Sequence, residues 1–237
     1  PGRFTLTKLV EFPAMGATGE VSSVVYQRIH EKYLAQADEH KGVKVLCVFT
    51  QSPGHIFTTG KRQVLKLTDL SGIKLRIGGG AVSELMQAFG ATSVVRSASE
   101  SYELLSGGIV DGTLVPYETV ASFKIENLIR YGTIVPDGLY SLSFAVIMNE
   151  KKFNSMSPQD QAVINQFSGE RYARLAGQAW DVKDRVGIDT MKKSGVQLVT
   201  ADAGFMAGLV DKSKPIEEEW IKVAKARGVD GAAVLKD

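Results

Sequence analysis

Several absences narrow the possibilities before any motif is considered. The 237-residue chain has one cysteine, Cys47, so it cannot form an internal disulfide. Its three histidines, His30, His40 and His55, show no metal-ligand spacing with one another or with Cys47, and we predict no metal site. The net charge of +2 and the absence of any basic block argue against nucleic-acid binding driven by bulk electrostatics.

Long apolar runs are also missing. The stretch Tyr140–Met148 is among the longest and is far too short to span a bilayer. Cys47 lies in the apolar run Val43–Phe49, which predicts a buried structural thiol rather than a nucleophile. The chain opens with PGRF, without a methionine or a signal peptide, so it reads as a fragment or a processed form.

Strand-like and helix-like segments alternate through the first half of the chain. Helical periodicity covers Val21–His40, the apolar run Val43–Phe49 predicts a strand buried on both faces, and Thr50–Arg62 has the composition of a loop. The alternation predicts an α/β fold with a largely parallel sheet. The remaining elements of this half are predicted strands Ile73–Ile77, Thr92–Arg96 and Ile109–Val115, and predicted helices Ala81–Gly90, Ser99–Gly108 and Pro116–Lys124.

The second half of the chain has a different pattern. Arg130–Asn149 holds two extended segments without an intervening helix, which fits a crossover between two lobes. Ser157 and Pro158 begin a helical stretch that reaches about Lys193, either as one helix or as two end to end. A stretch of this length would measure roughly 50 Å and would brace two lobes. A strand, Val196–Thr200, and a helix, Pro215–Arg227, finish the chain.

The glycine cluster in IKLRIGGGAVS, residues 73–83, follows a predicted strand. It satisfies two positions of the dinucleotide motif G-x-G-x-x-G, but Ser83 stands at the third, and no P-loop is present. We therefore predict no nucleotide cofactor. Arg76 stands at the strand end, where open parallel sheets bind ligands, and its planar guanidinium suits a carboxylate. An exposed strand end without function is an equally open reading at this point.

Two further strand ends carry polar groups. Ser52 and His55 follow the apolar run Val43–Phe49, and Tyr117 and Glu118 follow the strand that ends at Val115. Ser52 and His55 could act as nucleophile and base, which leaves a hydrolase-like α/β enzyme as an alternative. There is no G-x-S-x-G elbow and no identifiable orienting carboxylate, so the pattern favours binding over turnover.

The stretch 68–118 resembles the substrate-binding proteins of tripartite ATP-independent periplasmic (TRAP) transporters. The family pattern is D-L-x-G-x-K-x-R, a helix ending in G-A, then S-E-x-Y and G-x-V-D-G before a proline. The resemblance continues through the segment that leads into the long helical stretch. The residues in register are Asp69, Leu70, Gly72, Lys74, Arg76, Gly90, Ala91, Ser99, Glu100, Tyr102, Gly108, Val110, Asp111, Gly112 and Pro116.

This resemblance implies a two-lobed α/β periplasmic binding protein, type II-like, with hinge strands and a long bracing helix. The lobes would comprise residues 1–51 plus 139–181 and residues 52–138 plus 182–237. The first lobe would lack the N-terminal strands that family members carry, which would expose an apolar sheet edge.

The resemblance also implies a periplasmic receptor without cofactor or catalysis. It would be a monomer when full-length, bind a small organic carboxylate between its lobes, and deliver it to the permease subunits of an ion-driven transporter. Arg76 would pair with the carboxylate, and the other expected ligand-binding residues are Ser52, His55, Gly79, Val115, Tyr117, Glu118 and Tyr140.

Two positions depart from the members of the family that bind sugar acids. Val115 replaces an asparagine, and an ungapped comparison places Ile56 where those members have a second arginine. We therefore expect a short-chain, keto or aromatic carboxylate rather than a sugar acid. A signalling or scaffold module built on the same fold is a further alternative.

Overall fold

The computed structural model describes residues 3–16 and 18–237, and two β-sheets lie within them. The larger sheet has six strands in the order β4-β3-β5-β2-β6-β8, and the smaller pairs β1 with β7. The strands are β1 (Val43–Thr50), β2 (His55–Thr58), β3 (Lys74–Ile77), β4 (Thr92–Val95), β5 (Gly112–Val115), β6 (Tyr131–Ile134), β7 (Ser143–Asn149) and β8 (Gln197–Thr200).

Helices connect these strands and cover the larger sheet. The two longest have 24 residues each and lie in the C-terminal half of the chain. The α-helices are α1 (Gly19–Ile29), α2 (Ala81–Ala88), α3 (Ser101–Ser106), α4 (Tyr117–Ser122), α5 (Glu150–Asn154), α6 (Pro158–Phe167), α7 (Glu170–Lys193), α8 (Ala203–Ala226) and α9 (Gly231–Lys236).

The larger sheet is parallel except for one strand. Strands β3 and β4, β3 and β5, and β6 and β8 pair in parallel, whereas β2 is antiparallel to both β5 and β6. The loop predicted over Thr50–Arg62 is therefore wrong at its centre, because His55–Thr58 is a buried strand. Four residues after Pro53 and Gly54 are too few to show an alternating pattern.

The long helical stretch is two helices end to end. Gly169 has a φ of +62°, which lies outside the right-handed helical region and separates α6 from α7. Its N–H donates to the carbonyl of Leu46 in β1 at 2.7 Å, so the break also ties the helices to the smaller sheet. At 1.5 Å per residue, α7 alone is about 36 Å long.

The last predicted helix begins earlier than Pro215. The side chain of Asp202 accepts a hydrogen bond from the N–H of Phe205 at 2.7 Å and so caps α8 at its true start. Pro215 lies inside the helix rather than at its first turn. The first predicted helix is also shorter, since α1 ends at Ile29 and a π-turn and a 3-10 turn carry the chain to Ala37.

Helix α7 contacts the N-terminal ends of two other helices at glycines. A Cβ on Gly177 would stand 2.6 Å from the backbone nitrogen of Glu20 at the start of α1. A Cβ on Gly187 would overlap the carbonyl of Tyr117 and stand 2.9 Å from the nitrogen of Glu118 at the start of α4. Only glycine permits helices to approach this closely.

Each of these two contacts includes a carboxylate from α7. Asp181 accepts hydrogen bonds from the N–H groups of Gly19 at 2.6 Å and Glu20 at 3.0 Å. Asp184 Oδ1 accepts one from the N–H of Glu118 at 2.8 Å. Both carboxylates satisfy backbone donors that a helix leaves unpaired at its N-terminus.

Apolar residues fill three clusters. One face of the larger sheet packs against α2 and α8, and the opposite face packs against α3, α4 and the end of α7. A third cluster joins the segment 6–12 to α1 and to the C-terminal part of α8, where Trp220 is buried. Because α8 contributes to two clusters, the division of the chain into residues 1–51 plus 139–181 and 52–138 plus 182–237 stays a prediction.

Candidate functional site

The register of the larger sheet places several predicted site residues on one face. Arg76 pairs with Thr113, Thr113 pairs with Phe57, and Val115 pairs with His55. Directly opposed residues on neighbouring strands point to the same face, so these side chains form one row across β3, β5 and β2. The row ends at the edge where the parallel strands β3 and β5 terminate, which is the ligand-binding edge of such sheets.

Arg76 is a buried cation, with 4% of its surface exposed. Its Nε and Nη2 donate to the carbonyl of Arg96 at 3.0 and 2.7 Å, and its Nη1 lies 3.4 Å from the carbonyl of Leu114. No carboxylate among the described residues lies within 4.0 Å of the guanidinium. Burial lowers its pKa, but an arginine stays protonated in proteins, so a positive charge is held here without a carboxylate partner.

Tyr140 contacts the carbonyl of Leu114 from the opposite face of the sheet. Its hydroxyl donates to Leu114 O at 2.9 Å, and its ring is buried beside Gly54. Strands β3 and β5 pair only as far as Arg76 and Thr113, so the Leu114 carbonyl is left free for these two side chains. Burial raises the pKa of Tyr140 to about 12, and its hydroxyl is therefore a donor at neutral pH.

His55 and Tyr117 form an aromatic surface beside this row. Their ring centroids are 4.5 Å apart, and Phe57 lies 6.1 Å from Tyr117; we call these three residues the aromatic wall. The Nδ1 of His55 accepts the N–H of Val135 at 3.3 Å, which leaves its proton on Nε2. Burial lowers the pKa of His55 to about 3, so the ring is a neutral donor.

Ser52 lies close to Asp184, a residue that the sequence analysis missed. Ser52 is fully buried, and its hydroxyl lowers the pKa of Asp184, although no hydrogen bond within 3.5 Å joins the two. Burial outweighs this effect and raises the pKa of Asp184 to about 6. No local pattern could have revealed this pair, because the two residues are far apart in the chain.

The remaining predicted site residues have the following surroundings. The carboxylate of Glu118 accepts from the hydroxyls of Thr119 and Ser122, so it is turned back onto its own helix. Val115 is buried among the apolar side chains under α4. Gly79 is half-buried in the turn between β3 and α2, and its role as a backbone contact to a ligand stays a prediction.

Ile56, the position where an ungapped comparison puts the second arginine of sugar-acid-binding family members, faces away from the site. Ile56 pairs with Leu114, and both lie in the core on the opposite face from Arg76. Its neighbour His55 is the residue of β2 that faces the row at this edge. A shift of one residue along a strand exchanges the two faces, so an ungapped comparison could not assign this position.

The geometry does not form a nucleophile–base pair. No hydrogen bond joins Ser52 to His55 among the described residues, and the Nδ1 of His55 is occupied by a backbone donor. A histidine with a pKa near 3 is also a poor general base at neutral pH. Residues 3–16 and 18–237 contain no group of three or more His, Cys, Asp or Glu side chains that could hold a metal ion.

A surface groove of about 550 Å³ lies elsewhere, between α1, β1 and the α6–α7 turn. It is open and contains His30, His40 and Glu39 among its lining residues. It lacks the buried, unpaired cation that marks the Arg76 site, which remains our candidate. In the described part of the chain, no helix is both long and apolar enough to cross a bilayer.

Known proteins resemble this chain over most of its length. The family of bacterial extracellular solute-binding proteins, family 7 (DctP), matches residues 13–223. TsaT of Comamonas testosteroni, named an outer membrane transporter protein, is 32% identical over 233 residues, which are 97% of this chain and 68% of TsaT.

Solved structures show the same fold. A TRAP periplasmic solute-binding protein from Bordetella bronchiseptica, with bound (R)- and (S)-mandelate, is 42% identical with a TM-score of 0.94, over 100% of this chain and 75% of that one. A marine metagenome TRAP solute-binding protein specific for aromatic acid ligands, in complex with metahydroxyphenylacetate, is 33% identical with a TM-score of 0.90, over 100% and 74%. These matches confirm the predicted two-lobed α/β fold, and the chain therefore belongs to the DctP family, the solute-binding proteins of TRAP transporters.

Proposed function

We propose that this chain is a periplasmic receptor for an aromatic carboxylate, which it binds between its lobes and delivers to the permease subunits of a TRAP transporter. Arg76 is the anchor for the carboxylate, and the aromatic wall of His55, Phe57 and Tyr117 contacts the ring. The ligand classes of its relatives, mandelate in one and metahydroxyphenylacetate in another, support this assignment.

The observation that carries the proposal is the state of Arg76. Burying a charge without a partner of opposite charge is costly, and proteins usually avoid it. Here Arg76 is 4% exposed, and its guanidinium bonds only to the neutral carbonyls of Arg96 and Leu114. A ligand carboxylate would supply the missing negative charge through two parallel hydrogen bonds.

The surroundings favour an apolar ring over a sugar. Val115 and Phe57 are buried, and the neutral His55 adds one donor from Nε2 without adding a charge. Aromatic rings prefer offset or edge contacts with other rings, for which Tyr117 is accessible because it is only half-buried.

Isothermal titration calorimetry of the 237-residue chain with benzoate and with benzamide tests the proposal. We expect benzoate to bind and its neutral amide to bind at least about thirtyfold more weakly, since truncating one partner of a buried charge pair costs about 2–5 kcal/mol. Arg76→Met should remove benzoate binding.

A matched variant separates this effect from the general loss of an arginine. Arg62 also donates to a backbone carbonyl, that of Ser71 at 3.0 Å, but it is exposed. Arg62→Met should leave benzoate affinity unchanged. Equal binding of benzoate by the Arg76→Met variant and the unmodified protein would refute the assignment of Arg76.

A further inference from the structure

A second polar cluster lies beside the aromatic wall. It comprises the hydroxyls of Ser52 and Tyr117 and the carboxyl of Asp184. Ser52 Oγ is fully buried without a hydrogen-bond partner, and Tyr117 Oη makes no hydrogen bond to any described residue. Asp184 uses Oδ1 for the N–H of Glu118, while Oδ2 keeps its capacity to accept. Buried polar groups are nearly always paired, so this unused capacity needs an explanation.

The cluster lies across the site from Arg76. Strands β3 and β2 are separated by two strand spacings, and the register offsets His55 from Arg76 by two residues. These spacings put the Cα atoms of Arg76 and His55 roughly 12 Å apart. Ser52 precedes His55 by three residues, and Tyr117 stacks against it. This distance is of the order of the length of a small aromatic acid with its contacting side chains at either end.

We infer that the site selects a monocarboxylate with a hydrogen-bond donor, such as a hydroxyl, at the end remote from the carboxylate, and that Asp184 and Ser52 accept this donor. The inference rests on the proposed function. An ionised carboxylate is an acceptor only, and its hydrogen bonds are about twice as strong as neutral ones. Ser52 can accept from the ligand or donate to it.

The charges of the site argue against a second carboxylate on the ligand. Arg76 is the cation that a first carboxylate would neutralise. A second carboxylate at the far end would meet Asp184, which is mostly ionised at neutral pH because its pKa is about 6. Like charges at a partly buried site repel, and such repulsion is a common device for excluding a competing ligand.

Asp184 could instead serve only to cap α4, and the chain offers a matched comparison for that role. Asp181 lies one turn earlier on α7 and caps α1 in the same way, through the N–H groups of Gly19 and Glu20. It is not part of the cluster. A purely structural role predicts similar consequences for Asp181→Asn and Asp184→Asn, whereas a ligand-binding role predicts a change of specificity in the second alone.

The test is a calorimetric titration of the 237-residue chain with benzoate, the three monohydroxybenzoates and benzene-1,3-dicarboxylate. We expect at least one hydroxybenzoate to bind tenfold or more tightly than benzoate, and the dicarboxylate tenfold or more weakly. Asp184→Asn should reduce the affinity of the hydroxybenzoates relative to benzoate and raise that of the dicarboxylate relative to benzoate. Asp181→Asn should leave both ratios, hydroxybenzoate to benzoate and dicarboxylate to benzoate, unchanged.

Ser52→Ala provides a second route if Asp184→Asn does not fold, since it should also reduce the hydroxyl preference. The inference is overturned if no hydroxybenzoate binds the unmodified protein more tightly than benzoate does. It is also overturned if the affinity ratios to benzoate are unchanged in both Asp184→Asn and Ser52→Ala. Failure of benzoate and every other carboxylate to bind would overturn the proposed function as well. Binding of benzoate without any hydroxyl preference would overturn this inference alone.

Discussion

Substitution of Gly187 by alanine tests whether the close approach of α7 to α4 holds the site together. The added methyl would overlap the carbonyl of Tyr117 and stand 2.9 Å from the nitrogen of Glu118. Both obstacles are backbone atoms of the first turn of α4, so they cannot move aside as a side chain can. One helix must retreat, and its retreat would stretch the 2.8 Å hydrogen bond from Glu118 to Asp184.

The magnitude follows from three contributions. Overpacking costs about 1–3 kcal/mol, and loss of a hydrogen bond to a charged group costs about 1.5–3 kcal/mol. Alanine recovers about 1 kcal/mol through its higher helix propensity. The net loss in free energy of unfolding is therefore about 1.5–5 kcal/mol, a large share of the total stability of a domain. For a chain of this size it corresponds to a fall in Tm of roughly 3–20 °C.

Urea unfolding followed by circular dichroism measures this loss, and Gly208→Ala is its control. Gly208 also lies inside a 24-residue helix, but a Cβ there would meet only the Cδ1 of Leu67, at 2.5 Å, which is the end of a flexible side chain. We expect the control to lie within about 1 kcal/mol of the unmodified protein, because the helix propensity of alanine offsets a small rearrangement. Equal stability of the two variants would refute the reasoning.

Three further predictions concern the buried polar groups. Tyr140→Phe should lower the free energy of unfolding by about 1 kcal/mol, measured in urea, because the Leu114 carbonyl loses its 2.9 Å donor; an unchanged midpoint would contradict this. Stability should fall as the pH is lowered from 6.5 to 4, because His55 takes up a proton in the unfolded chain but resists it in the folded one, where its pKa is about 3. The raised pKa of Asp184, about 6, opposes this fall between pH 6 and 4, because the folded chain then takes up a proton that the unfolded chain does not. In urea unfolding measured across this pH range, Asp184→Asn should therefore make the fall in stability steeper. Parallel stability–pH curves for the variant and the unmodified protein would count against the raised pKa of Asp184. Cys47 is 1% exposed and burial raises its pKa to about 12, so iodoacetamide should label it only as the chain unfolds; rapid labelling of the native protein at neutral pH would be inconsistent with this.

Sequence patterns predicted the fold well where the signal was long or strongly local. The run Val43–Phe49 lies in strand β1, and Ser157 with Pro158 begins α6 as expected. The expectation that this strand is buried on both faces is wrong, because β1 pairs only with β7 and, of these seven residues, only Cys47 and Val48 are buried. Strand β2 escaped prediction because it has four residues and follows a proline–glycine turn. The start of α8 escaped because Pro215 is a common helix-initiating residue, whereas here it lies within the helix.

The candidate site was predictable only in part. Arg76 stood out because a charged residue interrupts an apolar strand, and the structure places it near the end of β3, at the sheet edge where such folds bind ligands. Asp184 was not predictable, since its contacts to Ser52 and Glu118 cross 132 and 66 residues of chain. Which face of the sheet the side chains of Ile56 and His55 lie on depends on the register of β2. The sequence does not determine this register unless the turn geometry is known.

The two glycine contacts of α7 make that helix a spacer of fixed length. Gly177 and Gly187 are ten residues apart, which is about 15 Å along the helix axis and, at about 100° per residue, roughly 80° short of three full turns. Inserting or deleting one residue between them would rotate one contact by about 100° relative to the other. One of the two helix starts would then face a side chain instead of a glycine. The segment 177–187 must therefore keep its number of residues, because its length sets the angle between the two contacts.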